Sequence, residues 1–309
     1  MKTYSLNGTL YPSPPFDFEK SLDFIEMFRP MAGEQVLAPR SLSKAVSING
    51  KPVLFQVTSS GSIAAPAIQY QLYAAQPIDG ETQRKAEDRI AFFLSLDDDL
   101  GPFYSTGLDD PFLEPVIRKQ YGLHQVKFLT PFEIAVWAVL VQRLAIPIAK
   151  KNKQALVERY GSALEINGSR AWAFPEPLQM AAASPAELTG LVKNERKVEY
   201  LLAVIQAFQD VDEEFLRCAD FRQVKEWLLN IRGIGDWSAH FILVRGLGRM
   251  MEAGTVGSGA TIRFEPHLAE AVESVYGRGA AQDPAEIQRL LARYADHQGY
   301  WAYYLRAGH

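Results

Sequence analysis

A turn that contains two glycines, between two predicted helices, is the segment of the sequence best suited to chemistry. Apolar residues at helical spacing predict helices over 221–229 and 237–247. Gly233 and Gly235 stand at alternate positions of the turn. Because glycine has no side chain, we expect the first amides of the second helix to be uncovered. Such amides carry the positive end of the helix dipole and suit a phosphate oxygen. A plain pair of packed helices explains the same spacing, and the residues alone leave both interpretations open.

Signatures of other kinds of catalysis are absent from the sequence. There is no P-loop and no Gly-x-Ser-x-Gly elbow, and Arg232-Gly233-Ile234-Gly235 lacks the third glycine and the preceding strand of a dinucleotide fingerprint. The single cysteine, Cys218, excludes an internal disulfide and a cysteine-ligated iron–sulfur cluster. The five histidines lack ligand spacing, so we expect no cofactor and no metal site built from side chains.

The turn resembles a known family pattern, Gly-Ile-Gly-x-Trp-(Ser/Thr)-Ala followed by an Arg-Gly pair, which is here Arg245-Gly246. The helix that ends at Gln142 and the segments 171–200 and 298–305 resemble the same family. Residues 108–309 are thus similar to the helix-hairpin-helix DNA glycosylases, on the alkyladenine branch typified by bacterial 3-methyladenine DNA glycosylase II. The N-terminal part is compatible with the TATA-binding-protein-like sheet domain of that branch.

The resemblance implies base-excision repair of double-stranded DNA that carries alkylated bases. The damaged nucleotide is flipped out of the duplex at a cost of a few kcal/mol. A carboxylate then stabilises the oxocarbenium charge that develops on the sugar. Bifunctional members carry a Schiff-base lysine four residues after the first hairpin glycine, where this sequence has Trp237. We therefore expect a monofunctional glycosylase without lyase activity.

The catalytic carboxylate is where the sequence departs from the family. The family aspartate lies about two dozen residues after Gly233, and here that distance reaches Gly257 and Ser258. The next acid is Glu265, whose context Glu265-Pro266-His267-Leu268 is similar to the family's Asp-x-His-Val. We interpret 253–261 as part of an insertion and Glu265 as the catalytic residue at a helix N-terminus, where the dipole favours it. The alternative is a first-turn acid in a protein that binds damaged or distorted DNA without catalysis.

Aromatic residues of two helices are candidates for the base pocket. Trp237 and Phe241 lie four residues apart on one helix face, and by resemblance they line the pocket. Tyr300 and Tyr304 of the last helix are further candidates. An aromatic pocket holds a cationic alkylated purine through cation–π attraction of about 1–2 kcal/mol. Packing in the core explains all four residues equally well.

The resemblance also implies a set of DNA contacts. Gln142 and Arg143 match the turn that fills the gap left by the flipped base, where Arg143 can stack on the orphan base or contact phosphate. The predicted DNA-binding residues are Gln142, Arg143, Gly233, Gly235, Ser238 and Arg245. A local basic face would combine Lys150, Lys151, Lys153, Arg232, Arg245 and Arg249, although a solvated helix surface explains the lysines as well. The main-chain carbonyls of Leu229, Ile231 and Gly233 match the family's site for a monovalent cation.

The elements that must position these residues fall into two regions. Alternating residues on both sides of Asn49-Gly50 predict a β-hairpin, and 68–73 predict a further strand. A helix is expected over 82–96. From Pro111 onward we predict helices, including one that Thr130, Pro131 and Glu133 begin as N-cap, first-turn proline and capping-box acid. The fold class is therefore α+β, with a small antiparallel sheet domain over 1–107 and an all-helical region over 108–309, with two lobes around a cleft and the hairpin at 221–247.

Composition agrees with a globular protein and excludes several classes. Of the 309 residues, 48% are hydrophobic and 22% are charged, which excludes a disordered or fibrous chain. The net charge of −4 excludes a uniformly basic nucleic-acid-binding protein but not a local basic face. Neither a signal peptide nor a membrane-spanning run is visible. We expect a soluble, cytoplasmic monomer that does not associate with membranes.

Overall fold

A five-stranded antiparallel sheet forms the N-terminal part of the fold, in the order β1-β5-β4-β3-β2. The computed structural model describes residues 2–166 and 168–308. The strands of this sheet are β1 Tyr4–Leu10, β2 Gln35–Ala38, β3 Ser41–Ile48, β4 Lys51–Ser59 and β5 Ile68–Ala74. Mixed α and β structure with an antiparallel sheet is confirmed. The likeness of this sheet to the TATA-binding protein stays a prediction.

The hairpin at Asn49-Gly50 is confirmed. Asn49 and Gly50 have φ of +51° and +74°, and Ile48 pairs directly with Lys51. Both turn residues thus adopt the left-handed conformation that a two-residue hairpin requires. The buried residues of β4 and β5 alternate with more exposed ones, as the sequence pattern predicted for a sheet with one covered face.

The prediction of an all-helical region over 108–309 is wrong, because that region also contains strands. Ser162–Ile166 (β6) and Ser169–Ala173 (β7) form a second hairpin, and Ile166 pairs with Ser169. The sequence contains the same Asn-Gly signal at 167–168, and Gly168 has φ of +78°. This hairpin is a separate two-stranded sheet that packs against β3 and β4 of the N-terminal sheet.

The helices follow the predicted order. Their bounds are α1 Phe18–Met27, α2 Gly80–Leu94, α3 Gly101–Leu108, α4 Glu114–Gln120, α5 Pro131–Val141, α6 Ile146–Tyr160, α7 Pro185–Val192, α8 Glu195–Asp210, α9 Glu213–Cys218, α10 Phe221–Leu229, α11 Asp236–Phe241, α12 Pro266–Tyr276, α13 Pro284–Tyr294 and α14 Gln298–Gly308. The prediction over 221–229 matches α10 residue for residue. A π-helical turn, Ile242–Gly246, continues α11. No helix in the described part of the chain is both long enough and apolar enough to span a bilayer.

The start of α5 is confirmed in part. Thr130 is the N-cap, its Oγ1 accepts a hydrogen bond from the Glu133 amide at 3.1 Å, and Pro131 opens the helix. Glu133 does not act as a capping-box acid. Its carboxylate is 1% exposed and forms an ion pair with Lys153 of α6 at 2.6 Å. The buried charge of Lys153 attracts the side chain away from the helix end.

The hydrophobic interior consists of two clusters. The first joins the N-terminal sheet to the middle of the chain and includes residues of α5, α8, α10 and α11. The second unites α3 and α4 with the C-terminal helices α12, α13 and α14. The partly buried ring of Phe24, on α1, packs against both clusters. Residues near Phe24 therefore lie where the two packing units meet, which is where a cleft between lobes was expected.

Candidate active site

The hairpin turn between α10 and α11 needs a glycine at one of its two glycine positions. Gly233 has φ of +95°, and a Cβ there would lie 2.2 Å from Cγ of Tyr200. Gly235 begins α11 with extended backbone, and a Cβ there would meet no heavy atom within 4 Å. The space beside Gly235, where α11 begins, is therefore free of described protein atoms. A phosphate contact at this turn stays a prediction.

The turn after α5 lies against this hairpin. Nε2 of Gln142 donates to the carbonyl oxygen of Gly233 at 2.8 Å and to Oγ of Ser238 at 3.4 Å. Ser238 is buried, so its predicted DNA contact is replaced by the contact with Gln142. Arg143 is exposed and has φ of +52°, a conformation that is uncommon for a residue with a side chain. In this structure Gln142 braces the hairpin, and Arg143 is the side chain of this turn that faces solvent.

Two aromatic rings form an open wall on α11. Trp237 is 55% exposed, and its ring stacks on Phe241 with 5.2 Å between centroids and 9° between planes. Phe241 in turn contacts the edge of Phe128, and Phe128 contacts Phe28 of the segment after α1. An exposed tryptophan held in a stack is a surface on which a flat ligand can stack in turn. Phe28 and Phe128 lie outside any local motif, so the sequence did not predict their place in this group of rings.

The tyrosines predicted for the pocket from α14 are corrected. Tyr300 is 5% exposed, stacks on Phe103 and donates to Asp98, so it belongs to the core of the C-terminal helices. Tyr304 is fully buried and donates to the carbonyl oxygen of Leu123. The tyrosine of α14 that lies near α11 is Tyr303, whose ring faces the guanidinium of Arg245 at 5.3 Å. Which tyrosine faces α11 depends on the rotation of α14 about its axis. Four of the five residues over 300–304 are aromatic, so the sequence does not show that rotation.

Glu265 is the N-cap of α12 and keeps one carboxylate oxygen free. Its Oε1 accepts from the Leu268 amide at 3.1 Å and from Nη2 of Arg306 at 2.6 Å. Its Oε2 has no hydrogen-bond partner among residues 2–166 and 168–308. The side chain is 26% exposed, so this oxygen is accessible while the group itself is held in place. A fixed carboxylate with an unused oxygen can stabilise a positive charge beside it.

The same carboxylate lies beside the hairpin helix. A Cβ on Gly254 would lie 2.9 Å from Nε2 of His240 and 3.6 Å from Cγ of Glu265, so both side chains flank this glycine. His240 follows Trp237 by three residues on α11. The segment before Glu265 is a small hairpin in which Thr255–Val256 (β8) pair with Arg263–Phe264 (β9), and it returns the chain to α11.

Three of the cations predicted for a basic face instead contact other groups of the protein. Lys153 is buried and paired with Glu133 and Glu34, at 2.6 and 2.5 Å. Arg249 donates to three main-chain carbonyls within 216–219, at the end of α9. The guanidinium of Arg245 is enclosed by aromatic rings. Desolvation of these long side chains depends on tertiary packing, which sequence spacing does not show.

The remaining predicted cations are on the surface. Arg143, Lys151 and Arg232 are exposed, and Lys150 is partly exposed. Arg232 forms a surface ion pair with Glu199 at 2.6 Å, which contributes little to stability and can be exchanged for a phosphate. These four side chains occupy the turn after α5, the start of α6 and the hairpin turn. They remain candidates for contacts with a polyanion.

Two of the three carbonyl oxygens that the resemblance assigns to a cation site accept hydrogen bonds within the protein. The carbonyl oxygen of Ile231 accepts from the Ile234 amide at 3.0 Å, and that of Gly233 accepts from Gln142. A monovalent cation at Leu229, Ile231 and Gly233 stays a prediction. Within the described chain, no cluster of three or more His, Cys, Asp or Glu side chains could hold a metal ion.

Comparison with known proteins agrees with this geometry. DNA-3-methyladenine glycosylase of Bacillus subtilis is 30% identical over 208 residues, which are 67% of this chain and 64% of that protein. DNA-3-methyladenine glycosylase 2 of Escherichia coli is 28% identical over 125 residues, 40% of this chain and 44% of that protein. The structure of 3-methyladenine DNA-glycosylase from Archaeoglobus fulgidus aligns with a TM-score of 0.76 and 18% identity over 97% of each chain. No protein-family model matches the sequence.

The chain belongs to the helix-hairpin-helix DNA glycosylases of the alkyladenine type. It spans less than two thirds of the length of each of the two curated relatives compared above. Its hairpin turn leads into α11, its exposed aromatic stack lies on α11, and the side chain of Glu265 flanks Gly254 together with His240 of α11. The glycosylase fold extends over nearly the whole chain, including the N-terminal sheet.

Proposed function

We propose that the protein is a monofunctional DNA glycosylase that removes alkylated bases of the 3-methyladenine type from double-stranded DNA. The observation that carries the proposal is the position of Glu265. Its carboxylate is fixed at the start of α12 and keeps Oε2 free, and its side chain flanks Gly254 together with His240, which lies on the same helix as Trp237 and Phe241. The reaction needs a carboxylate beside the sugar and an aromatic surface that holds the base, and the two must lie close together.

Binding of the duplex would begin at the hairpin. The open amides beside Gly235 receive a phosphate, and Arg143 with the nearby surface cations follows the backbone. Flipping a nucleotide costs a few kcal/mol, less for a damaged base. The stack of Trp237 on Phe241 compensates part of this cost by offering the everted base an aromatic face, with cation–π attraction if the base is cationic.

Hydrolysis would then proceed by dissociation of the N-glycosidic bond. Both electrons of the C1′–N bond leave with the base, and the sugar becomes an oxocarbenium ion that Oε2 of Glu265 stabilises. Water adds its oxygen to C1′ and loses a proton to solvent, which leaves a neutral sugar hydroxyl. An alkylated purine that is cationic in DNA leaves as a neutral molecule, so little acid catalysis is needed. Trp237 cannot form an imine, so the product is an intact abasic site.

The experiment that tests this function is base release from duplex DNA treated with a methylating agent. We expect free 3-methyladenine and 7-methylguanine to appear, measured by chromatography, together with abasic strands that break only after alkali. Trapping with borohydride should give no covalent protein–DNA product. Strand cleavage by the protein alone, or a trapped adduct, would contradict the monofunctional assignment.

A second candidate function is damage binding without catalysis. The observation that favours it is the ion pair between Arg306 and Glu265, since a neighbouring cation reduces the stabilisation that a carboxylate gives to a positive sugar. This candidate predicts salt-dependent binding to damaged DNA and no base release at any excess of protein. Release in the assay above excludes it.

Replacing the two hairpin glycines with alanine should affect different properties, namely stability at Gly233 and DNA binding at Gly235. Gly233→Ala places a side chain at positive φ against the Tyr200 ring, and we expect the free energy of unfolding to fall by about 2 kcal/mol or more. Gly235→Ala meets no protein atom and should leave stability nearly unchanged. Its methyl group stands where a phosphate approaches the amides, so we expect about tenfold weaker binding to a duplex. Thermal melts and fluorescence anisotropy measure the two effects; equal stability losses would contradict this assignment.

A further inference from the structure

His240 is a titratable side chain of α11 to which the proposed mechanism gives no role. It follows Trp237 by three residues, and 23% of its side chain is exposed, so water can reach the ring. Within the described ranges of the chain, Nε2 of His240 makes no hydrogen bond. Histidine is the side chain that most often transfers protons in enzymes. A proton-transfer role is therefore worth testing against the contacts of the ring.

An acidic side chain lies at one nitrogen of the ring. Nδ1 of His240 is 3.7 Å from Oε2 of Glu252, in the segment between α11 and α12. Nζ of Lys225, on α10, donates to both carboxylate oxygens of Glu252, at 2.8 and 2.9 Å. Burial alone would raise the pKa of Glu252, but its contacts with His240 and Lys225 lower it. An ionised Glu252 favours the neutral imidazole that carries its proton on Nδ1, which leaves a lone pair on Nε2.

The other nitrogen and Glu265 flank the same glycine. A Cβ on Gly254 would lie 2.9 Å from Nε2 of His240 and 3.6 Å from Cγ of Glu265. Because residue 254 is a glycine, no side chain of its own separates the imidazole from Glu265 at this point. The Glu265 side chain is 26% exposed, so water can approach it as well. A proton acceptor and a carboxylate are thus brought to the same place.

We propose that His240 is the general base that takes the proton from the attacking water, and that Glu252 positions its ring. This rests on the proposed glycosylase function, in which Glu265 stabilises the oxocarbenium ion. A lone pair of the water oxygen forms the bond to C1′, and one O–H bond of that water breaks. The proton passes to the lone pair of Nε2, and the sugar keeps a neutral hydroxyl group. The imidazolium then returns this proton to solvent.

Fast capture by water matters because the departing base lies beside the charged sugar. While it is still stacked on Trp237, its nitrogen can form the C1′–N bond again and reverse the reaction. A general base makes the water a better competitor, and such catalysis contributes about 10²–10⁴-fold. The loss of His240 should therefore appear in the rate of base release and not in the affinity for DNA.

Single-turnover release of 7-methylguanine from a duplex tests the proposal. We expect His240→Ala to slow release by about 100-fold, with duplex binding nearly unchanged. Imidazole added to the solution should raise the rate of this variant. Pyrazole has the same ring shape but is a much weaker base, and it should not raise the rate. Equal rescue by both compounds would show that the ring only fills space. That result, or release by His240→Ala at the wild-type rate, would overturn the proposal.

Glu252→Gln tests the positioning role. It removes the charge beside Nδ1, and we expect about tenfold slower release in the wild-type background. In the His240→Ala background it should cause no further loss, because the ring it positions is gone. Glu226→Gln, at an exposed position of α10, is the matched control and should not change the rate. Additive losses from Glu252→Gln and His240→Ala would contradict the positioning role. If the wild type releases no base, the proposed function itself fails.

Discussion

Glu265→Gln is expected to reduce base release from alkylated duplex DNA by about 10²–10³-fold in single turnover, with duplex binding nearly unchanged. Glutamine keeps the shape of the side chain, and its amide oxygen can still accept the hydrogen bond from the Leu268 amide. What disappears is the negative charge that offsets the oxocarbenium ion. The loss should therefore appear in the rate of the chemical step and not in the affinity for DNA.

The matched control for this experiment lies one turn further along α12. Glu270 is exposed, and its Oε2 lies 3.9 Å from Nδ1 of His267. Glu270→Gln removes the same charge from the same helix and should change release by less than about twofold, since exposed charges contribute little. Equal rates for Glu265→Gln and the wild type would refute the catalytic assignment of Glu265.

Lys153→Met should lower the free energy of unfolding by about 3–5 kcal/mol, because it leaves a buried carboxylate without its partner. Nζ of Lys153 contacts Oε1 of Glu133 at 2.6 Å and Oε1 of Glu34 at 2.5 Å. Glu133 is almost completely buried on α5, so water cannot replace the lost ammonium group. Urea titration measures the effect. The neighbouring exposed Lys151→Met should cost less than about 0.5 kcal/mol, and equal midpoints for the two variants would contradict the assignment.

Acid gives a second measure of the same ion-pair network. Burial alone would raise the pKa of Glu34, but its ion pairs with Lys153 and Lys44 bring the pKa down to about 2. A pKa that is lower in the folded state stabilises the fold above about 4.5, and this stabilisation is lost as the pH falls towards 2. We expect Lys153→Met to lose less stability over this window than the wild type, because one of the two partners is gone. The network joins β3, α5 and α6, and thus fixes the turn that carries Gln142 and Arg143.

Local signals in the sequence were sufficient for most elements. The period of the apolar residues placed α10 correctly, and the need for positive φ placed the hairpin at Asn49-Gly50. The second hairpin carried the same dipeptide at 167–168, but helical patterns on both sides of it obscured that signal. Such features depend on neighbours within a few residues, so a single sequence shows them.

The environment of long polar side chains was not predictable in this way. Lys153 and Arg245 are cations in the sequence, and only tertiary packing shows that one is buried between carboxylates and the other among rings. The position of Tyr303, and not Tyr300, beside α11 depends on the rotation of α14. Glu265 was found through the resemblance, while its pairing with Arg306 joins residues 41 positions apart. Spacing along the chain contains no information about such contacts.

The most direct test of the account is a structure of the protein bound to a duplex whose target nucleotide is replaced by a pyrrolidine analogue. The ring nitrogen of this analogue is cationic and stands for the charged sugar. We predict a carboxylate oxygen of Glu265 within about 3.5 Å of that nitrogen, beside the stack of Trp237 on Phe241. A complex in which Glu265 keeps only its contacts with Arg306 and α12, and the analogue lies out of its reach, would contradict the central claim.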